Sequence, residues 1–314
     1  MMSFYYLKFQ KEIPEQMMFS TQNGGNLIQL DYDSFPYIFN IANSTHMKLI
    51  DELVFSINCL RDRLVYITKD ELYYQNNSFH NKLKLPQLFA DAIEDDDIDC
   101  IYLVFKNQLN SFLMIDDDGA VFRWEMEQEH YAFRMIIHLP YAFSVAFNED
   151  ICIVVTSTNI AVLSLGDNDN VQMIRLDFEI FFNDNAFCQI ITNEDYVLAH
   201  NYDLYTITQY QNKRIYHFDE HHKDNLIESI AVYNDTIITS SKGSTVSIID
   251  INNNTCIYKR VFDHQTYFVH IYNDNLVIVC NTVMLQYKVL SLYSGFKELY
   301  NKFIQLIESL LNHI

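Results

Sequence analysis

Apolar residues in this chain fall in short runs of four to eight, and each run ends at a polar turn rich in Asn and Asp. The runs favour Val, Ile, Tyr and Phe, which suit the half-buried surface of a β-strand. A unit of two such runs around an Asn-acid turn recurs along the chain, for example SIAVY-ND-TIITSS from Ser229. The predicted turns begin at Asn58, Asn107, Asn148, Asn193, Asn234 and Asn273, which lie 49, 41, 45, 41 and 39 residues apart.

This period predicts a repeated sheet of four strands. A third and a fourth strand follow the first two in each unit, as in AVFRWEM from Ala120 and FRMIIHL from Phe133. Helical repeats of similar length are disfavoured, because short β-branched and aromatic runs between Asn and Asp turns are typical of strands. A four-stranded unit of about 40–45 residues matches a β-propeller blade. We therefore predict an all-β, seven-bladed β-propeller over residues 1–292, with blades near 1–46, 47–92, 93–140, 141–182, 183–224, 225–264 and 265–292.

The last predicted blade shows only three clear strands. An open ring would leave strand edges exposed, and natural proteins avoid long exposed edges. We therefore expect residues 4–9 to pair with the last blade. The Asn23-Gly24-Gly25 segment is then expected to form the central hairpin of the first blade.

Two units carry a recognisable motif. In residues 116–125, DDDGAVFRWE, an Asp-Gly turn precedes a strand that ends in Trp124-Glu125, and residues 243–250, GSTVSIID, have Ile249-Asp250 in the same place. These segments resemble the end of a WD repeat, in which an Asp-Gly turn precedes a strand ending in Trp-Asp. The Gly-His dipeptide of that family is absent, which leaves a propeller of another kind open. The resemblance implies a rigid docking platform in a larger assembly, and few such platforms are enzymes.

The pattern changes at about Leu292, where apolar residues begin to recur at helical spacing. We predict an amphipathic α-helix over residues 293–314. Its apolar face must be buried, either against the propeller itself or in a groove of a partner protein, and we expect the partner. The residues expected to make this contact are Phe296, Leu299, Phe303, Leu306 and Leu310.

The chain carries a formal net charge of −20 and has a pI of about 4.7. Nucleic-acid binding relies on Lys and Arg, and anionic membranes also attract basic proteins, so both are disfavoured as partners. Neither a signal peptide nor an apolar stretch of the ~18 residues that a membrane helix needs is evident. The six cysteines lie far apart without a CxxC pair, which is typical of reduced thiols. We expect an intracellular protein, either cytoplasmic or nuclear.

The predicted loops between blades are acidic. In a WD-type blade these loops share a face with the turn between the second and third strands. Carboxylates gathered on that face would attract a basic segment of another protein. A solvated acidic surface without a partner is the alternative. The residues predicted to bind a partner on this face are Asp95, Asp96, Asp97, Asp116, Asp117, Asp219 and Glu220.

Catalytic motifs are not found: the chain has no G-x-S-x-G elbow, P-loop, G-x-G-x-x-G or HExxH. His217, His221 and His222 lie among acids but lack a suitably spaced further ligand, so we predict no metal site and no cofactor. The leading interpretation is a non-catalytic scaffold for protein–protein interactions, a WD-repeat-like subunit of a multiprotein complex. Two alternatives stay open: a coat or trafficking propeller that associates with membrane lipids, and a propeller hydrolase that uses paired carboxylates.

Overall fold

The computed structural model describes most of the chain between residues 3 and 291. The described residues are 3–12, 19–23, 26–30, 36–40, 45–48, 54, 56–60, 63–68, 71–76, 79–84, 101–105, 111–116, 119–127, 130–148, 150–166, 170–221, 223–263, 265–272, 275–280 and 283–291.

In this described part, 28 β-strands form seven antiparallel sheets of four strands each. The helical element found among the same residues is a short 3-10 turn at Lys223–Asn225. The predicted all-β class and the antiparallel pairing of its strands are confirmed. Strand formation has a plain local cause, because the strands coincide with the apolar runs that are rich in β-branched and aromatic residues.

The chain opens with strand β1 (Ser3–Glu12), which belongs to the last sheet. Sheet 1 contains β2 (Phe19–Asn23), β3 (Asn26–Leu30), β4 (Pro36–Asn40) and β5 (Thr45–Lys48). Sheet 2 contains β6 (Ser56–Leu60), β7 (Arg63–Ile67), β8 (Glu71–Asn76) and β9 (Phe79–Lys84). Sheet 3 contains β10 (Ile101–Phe105), β11 (Ser111–Asp116), β12 (Ala120–Glu127) and β13 (His130–His138).

The second half of the chain repeats the same arrangement. Sheet 4 contains β14 (Ser144–Phe147), β15 (Ile151–Val155), β16 (Asn159–Ser164) and β17 (Val171–Arg175). Sheet 5 contains β18 (Ala186–Ile190), β19 (Asp195–His200), β20 (Asp203–Thr208) and β21 (Asn212–His217). Sheet 6 contains β22 (Ile227–Tyr233), β23 (Thr236–Ser241), β24 (Thr245–Asp250) and β25 (Thr255–Val261). Sheet 7 contains β26 (Thr266–Tyr272), β27 (Asn275–Cys280), β28 (Val283–Ser291) and β1.

The first strand of the chain completes the last sheet. Strand β1 pairs antiparallel with β28, from Ser3 opposite Ser291 to Glu12 opposite Val283. The expected pairing of residues 4–9 with the last unit is therefore confirmed. The two ends of the strand-forming chain are joined by backbone hydrogen bonds, so sheet 7 has the same four strands as the others.

Sheets 4 to 6 pack against their neighbours through both of their faces. In β15, Cys152 and Val154 pack towards sheet 3, whereas Ile153 and Val155 pack towards sheet 5. Strand β19 shows the same alternation between sheets 4 and 6, and β23 shows it between sheets 5 and 7. Because successive side chains of a strand point to opposite faces, an unbroken apolar run gives a sheet two buried faces. Each fully buried aliphatic side chain contributes ~1.5–3 kcal/mol to stability.

The first strands of neighbouring sheets also lie side by side, as in β2 with β6, β14 with β18, and β22 with β26. A serine links them at two equivalent places. The backbone N–H of Cys188 in β18 donates to Ser144 Oγ at 3.1 Å, and the N–H of Val269 in β26 donates to Ser229 Oγ at 3.4 Å. These N–H groups point away from their own sheet, so the hydroxyls satisfy donors that burial would otherwise leave unpaired.

Two sequence predictions are wrong, and others lie outside the described residues. The segment Asn23-Gly24-Gly25 connects β2 and β3, the first pair of strands in sheet 1 and not the central pair, because β1 belongs to sheet 7. Asn58 does not begin a turn, since β6 continues through it to Leu60 and pairs it with Val65. Its neighbours Ile57 and Cys59 extend the apolar run, which allows the strand to continue past one polar side chain. The predicted helix over residues 293–314, with Phe296, Leu299, Phe303, Leu306 and Leu310, falls outside the described part.

Candidate interaction surface

The two ends of each sheet carry different connections. Antiparallel order brings the turn between the second and third strands to the same end as the connection to the next sheet, and we call this the upper end. The opposite, lower end carries the other two turns. A repeated hydrogen bond joins the two features of the upper end in sheets 3 to 6. It runs from Leu139 N to Gly119 O, Leu176 N to Thr158 O, Phe218 N to Tyr202 O and Phe262 N to Ser244 O, at 2.8, 2.8, 2.8 and 2.9 Å.

The upper turn of sheet 3 depends on glycine. Gly119 has a φ of 87°, a value that side chains with a Cβ rarely adopt. A Cβ at this position would clash with the backbone oxygen of Leu139, the residue whose N–H bonds to Gly119. Gly119 therefore fixes how the connection leaves this sheet.

The connection between sheets 4 and 5, residues 176–185, is held by the carboxylate of Asp184. Its Oδ2 accepts the N–H of Phe181 at 2.9 Å and lies 2.8 Å from His200 Nε2. Its Oδ1 accepts Asn201 Nδ2 at 2.8 Å. Partial burial alone would raise the pKa of Asp184, but the hydrogen bonds from Asn201, Phe181 and His200 outweigh it and lower the pKa below its ordinary value.

Side chains of the same connection that pack into the protein also hold it in place. Phe178 stacks on the His200 ring at 5.3 Å and on the Tyr205 ring at 4.4 Å. Ile180 is buried, and its N–H donates to Ser157 O at 2.8 Å. Alternate side chains of the segment thus point into the protein, and the N–H groups of Leu176 and Ile180 bond to the upper turn of sheet 4.

Beyond this anchored part, two phenylalanines point into solvent. The exposed fractions of Phe181 and Phe182 are 62% and 73%. Phe182 meets the Tyr141 ring edge-on at 5.3 Å, and Tyr141 contacts Phe143 at 4.8 Å. These rings form a small apolar surface on the upper end, and we call Tyr141, Phe181 and Phe182 the aromatic patch.

The connection that carries Phe181 and Phe182 also carries exposed carboxylates. Asp177 and Glu179 are exposed on the same connection, which contains no Lys or Arg between residues 176 and 185. The next connection, residues 218–226, exposes Asp219, Glu220 and Asp224 alongside Lys223. The upper end of sheets 4 to 6 therefore carries more negative than positive charge, and such a surface raises the local concentration of cationic groups.

The two connections are bonded into one surface. Asn185 N donates to Asn201 Oδ1 at 2.9 Å, and Asn185 Nδ2 donates to Ile227 O at 3.2 Å. Ile227 N in turn donates to Asn201 O at 2.9 Å. Asn201 has a φ of 53°, which Asn tolerates better than most residues. Side-chain amides thus join the end of one connection to the start of sheet 6.

Glu228, at the start of β22, adds a carboxylate of another kind. It is half-buried, and burial raises its pKa although Lys242 opposes the shift.

Asp203 lies at the upper end of sheet 5, with its Oδ1 2.9 Å from His217 Nδ1. The sequence pointed to His217 only as a weak metal ligand, and its described partner is this carboxylate.

Two of the predicted partner-binding acids, Asp219 and Glu220, are exposed on the upper end. Asp219 Oδ1 accepts the N–H of His221 at 3.0 Å, which orders the start of that connection. Asp116 is the last residue of β11, so its backbone also reaches this end of sheet 3. Asp95, Asp96, Asp97 and Asp117 lie outside the described residues.

The aromatic patch was missed by the sequence reasoning. A signal existed, because Phe181 and Phe182 interrupt the alternation of acidic and apolar residues in residues 177–180 and are followed by Asn-Asp-Asn. Two neighbouring side chains cannot both point inwards from an extended segment. The sequence could not show that the turn through Asp184 exposes both of them.

The described part of the chain also bears on metal binding and on membrane insertion. No group of three or more His, Cys, Asp or Glu residues there is placed to hold a metal ion. No helix among those residues is long and apolar enough to cross a membrane.

Comparison with known proteins shows a related fold and no family. No family model matches the chain, and no curated protein matches it. Among solved structures, the chain is similar to the computationally designed Ika8 protein, with a TM-score of 0.56 and 11% sequence identity. The match covers 88% of this chain and 98% of that one. At this identity the likeness concerns the fold alone.

Proposed function

We propose that this chain is a seven-bladed, WD-like β-propeller that serves as a non-catalytic scaffold for protein–protein interactions. Seven four-stranded sheets, stacked faces and adjacent first strands support a radial arrangement. The pairing of β1 with β28 supports its closure, because it removes the free edge that the last sheet would otherwise have.

The observation that carries the scaffold function is the upper end of sheets 4 to 6. It combines exposed aromatic rings, exposed carboxylates and a backbone that is bonded into place. Protein interfaces commonly combine aromatic anchors with complementary charge. We propose that this end binds a basic segment of another protein, and that Asp95, Asp96, Asp97, Asp116 and Asp117 extend the same acidic face.

The amphipathic segment over residues 293–314 provides a second proposed contact. Its apolar positions, including Phe296, Phe303 and Leu310, would lie in a groove of a further subunit. Both contacts together suit a subunit of an intracellular multiprotein complex. Deletion of residues 293–314 should leave a folded protein, and loss of folding would show instead that this segment is structural.

Charge reversal tests the acidic face. The probes are three short synthetic peptides with five arginines, five lysines or five glutamates at the same positions, and binding is measured by fluorescence anisotropy. In the Asp219→Lys/Glu220→Lys variant, affinity for both basic peptides should fall about tenfold, because two attractions become repulsions. The glutamate peptide should not bind the unmodified protein.

The matched control places the same charge change on the lower end. Glu194 and Asp235 are exposed there, and the Glu194→Lys/Asp235→Lys variant should keep affinity within about twofold. Equal loss in both variants would mean attraction to net charge without a preferred face. Absence of binding to either basic peptide would overturn the proposed acidic docking face.

A further inference from the structure

We propose that the aromatic patch is a recognition site for arginine, in which a guanidinium group of the partner stacks on Phe181 or Phe182 while the neighbouring carboxylates hold its charge. This inference rests on the proposed function and narrows it to one place and one side-chain chemistry.

The exposure of two adjacent phenylalanines is unusual among the residues whose burial the structure describes. The other large apolar side chains that are clearly exposed, among the described residues, stand singly: Met135, Met173, Tyr210 and Val261. Scattered single residues are common on protein surfaces, whereas adjacent apolar groups that stay in water indicate a binding surface. Phe181 and Phe182 have no hydroxyl to hydrate, so their exposure is costly without a partner.

The backbone beneath the rings is already fixed. Phe181 N donates to Asp184 Oδ2, and Asp184 N donates back to Phe181 O, each at 2.9 Å. Asn201 and His200 hold the same carboxylate from sheet 5. A partner therefore meets rings on an ordered turn, and a preorganised site loses less conformational entropy on binding.

The charges around the patch select the chemistry of the occupant. Asp177 and Glu179 are exposed on the connection that carries the rings. A purely apolar partner would bury these carboxylates without compensation, and an acidic partner would be repelled. A guanidinium group suits both the exposed rings and the carboxylates, because it stacks flat on an aromatic face and donates two parallel hydrogen bonds to a carboxylate.

The chain contains an intramolecular example of this contact. At the upper end of sheet 6, Arg260 Cζ lies 5.0 Å from the centre of the Phe262 ring. In the described part of the chain, no Lys or Arg side chain takes such a position over Phe181 or Phe182. Both rings are mostly exposed, so a cation from another molecule can reach them.

The test compares the arginine and lysine peptides, which have the same length and charge. The unmodified protein should bind the arginine peptide about threefold to tenfold more tightly, because lysine lacks the planar stacking group. In the Phe181→Ser/Phe182→Ser variant, the arginine and lysine peptides should bind with about equal affinity. Phe181→Tyr/Phe182→Tyr should restore it, since tyrosine presents the same aromatic face.

Two further variants separate this inference from the proposed function. Tyr210→Ser removes a ring that is 90% exposed at the lower end of sheet 5 and should leave the arginine preference unchanged. Asp219→Lys/Glu220→Lys should weaken the binding of both basic peptides equally and leave the preference for the arginine peptide unchanged. Equal affinity of the unmodified protein for the two peptides, or a preference that survives Phe181→Ser/Phe182→Ser, would overturn the arginine site but not the acidic face.

Folding of the serine variant is checked independently. Both rings are mostly in water, so the change should shift the free energy of unfolding by less than about 0.5 kcal/mol. If the serine variant unfolds at clearly lower denaturant concentration than the unmodified protein, the rings contribute to the core, and the inference fails.

Discussion

The lower and upper ends of sheets 4 and 5 use polar side chains for different purposes. At the lower end, Asn148 Oδ1 caps its own turn by accepting the N–H groups of Asp150 and Ile151 at 2.8 and 2.9 Å. Asn148 Nδ2 donates to Asn193 Oδ1, and Asn193 Nδ2 donates to Asp150 Oδ2. At the upper end, Asp184 gathers three donors around one carboxylate and holds a longer connection whose rings face outwards.

The polar side chains of the lower end thus bond to each other, whereas those of the upper end hold a turn with exposed aromatic rings. Short Asn turns at the lower end bond to each other, and the exposed aromatic residue described there, Tyr210, has a hydroxyl that water can hydrate. The upper end uses its hydrogen bonds to keep Phe181 and Phe182 in water. Under the proposed function, the lower end contributes to stability and the upper end of the same sheets contributes to binding.

The largest expected effect comes from a glycine at the upper end. Gly119→Val should lower the free energy of unfolding by at least about 3 kcal/mol, because valine is strained at a φ of 87° and its Cβ would clash with Leu139 O. Denaturant unfolding followed by circular dichroism measures the loss.

A glycine at the lower end provides the control. Among the described residues, a Cβ at Gly166 would come closest to Ser164 Oγ, at 3.3 Å, the end of a short side chain that can rotate. Gly166→Ala should therefore change the free energy of unfolding by less than about 1 kcal/mol. Similar losses in the two variants would contradict the special role of the upper turn.

An intermediate effect is expected from Asp184→Asn. At pH 7 the variant should lose about 1–2 kcal/mol, because an amide replaces a carboxylate that accepts several hydrogen bonds. The pKa of Asp184 is lowered by folding, so its charge stabilises the protein above the unfolded-state pKa of about 3.9. That contribution is lost as pH falls through the lower folded-state pKa.

The difference between Asp184→Asn and the unmodified protein should therefore narrow below about pH 4 in unfolding curves measured from pH 7 to pH 3. Asp177→Asn makes the same change at an exposed position of the same connection and should cost less than about 0.5 kcal/mol. A pH-independent loss in Asp184→Asn would show that its role is steric and not electrostatic.

The smallest effect is expected at the lower end. Asn193→Ala removes hydrogen bonds to Asn148 and Asp150, but all three side chains compete with water at an exposed site. The loss should be about 0.5 kcal/mol or less in the same unfolding assay. A loss as large as that of Asp184→Asn would remove the distinction between the two ends.

The sequence by itself determined the strands, their repeat and the pairing of β1. Unbroken apolar runs such as Ile151–Val155 produce a strand with two buried faces wherever they occur, and Asn-acid turns end them locally. The missing fourth strand of the last unit pointed to residues 4–9 because an unpaired edge is costly. The turn predicted at Asn58 was wrong, because a single polar residue inside an apolar run resembles the start of a turn. The sequence alone does not give the pairing of the strand, which shows that the strand continues.

Tertiary structure decided which side chains meet and which stay in water. Asp184, His200 and Asn201 come from a connection and a turn 16 residues apart, and no local pattern marks them as one cluster. Their bonding turns Phe181 and Phe182 outwards, whereas hydrophobicity alone would assign both rings to the core. Local propensity acts over a few residues, but the exposure of a ring depends on the free energy of every alternative packing, and only the folded chain resolves that competition.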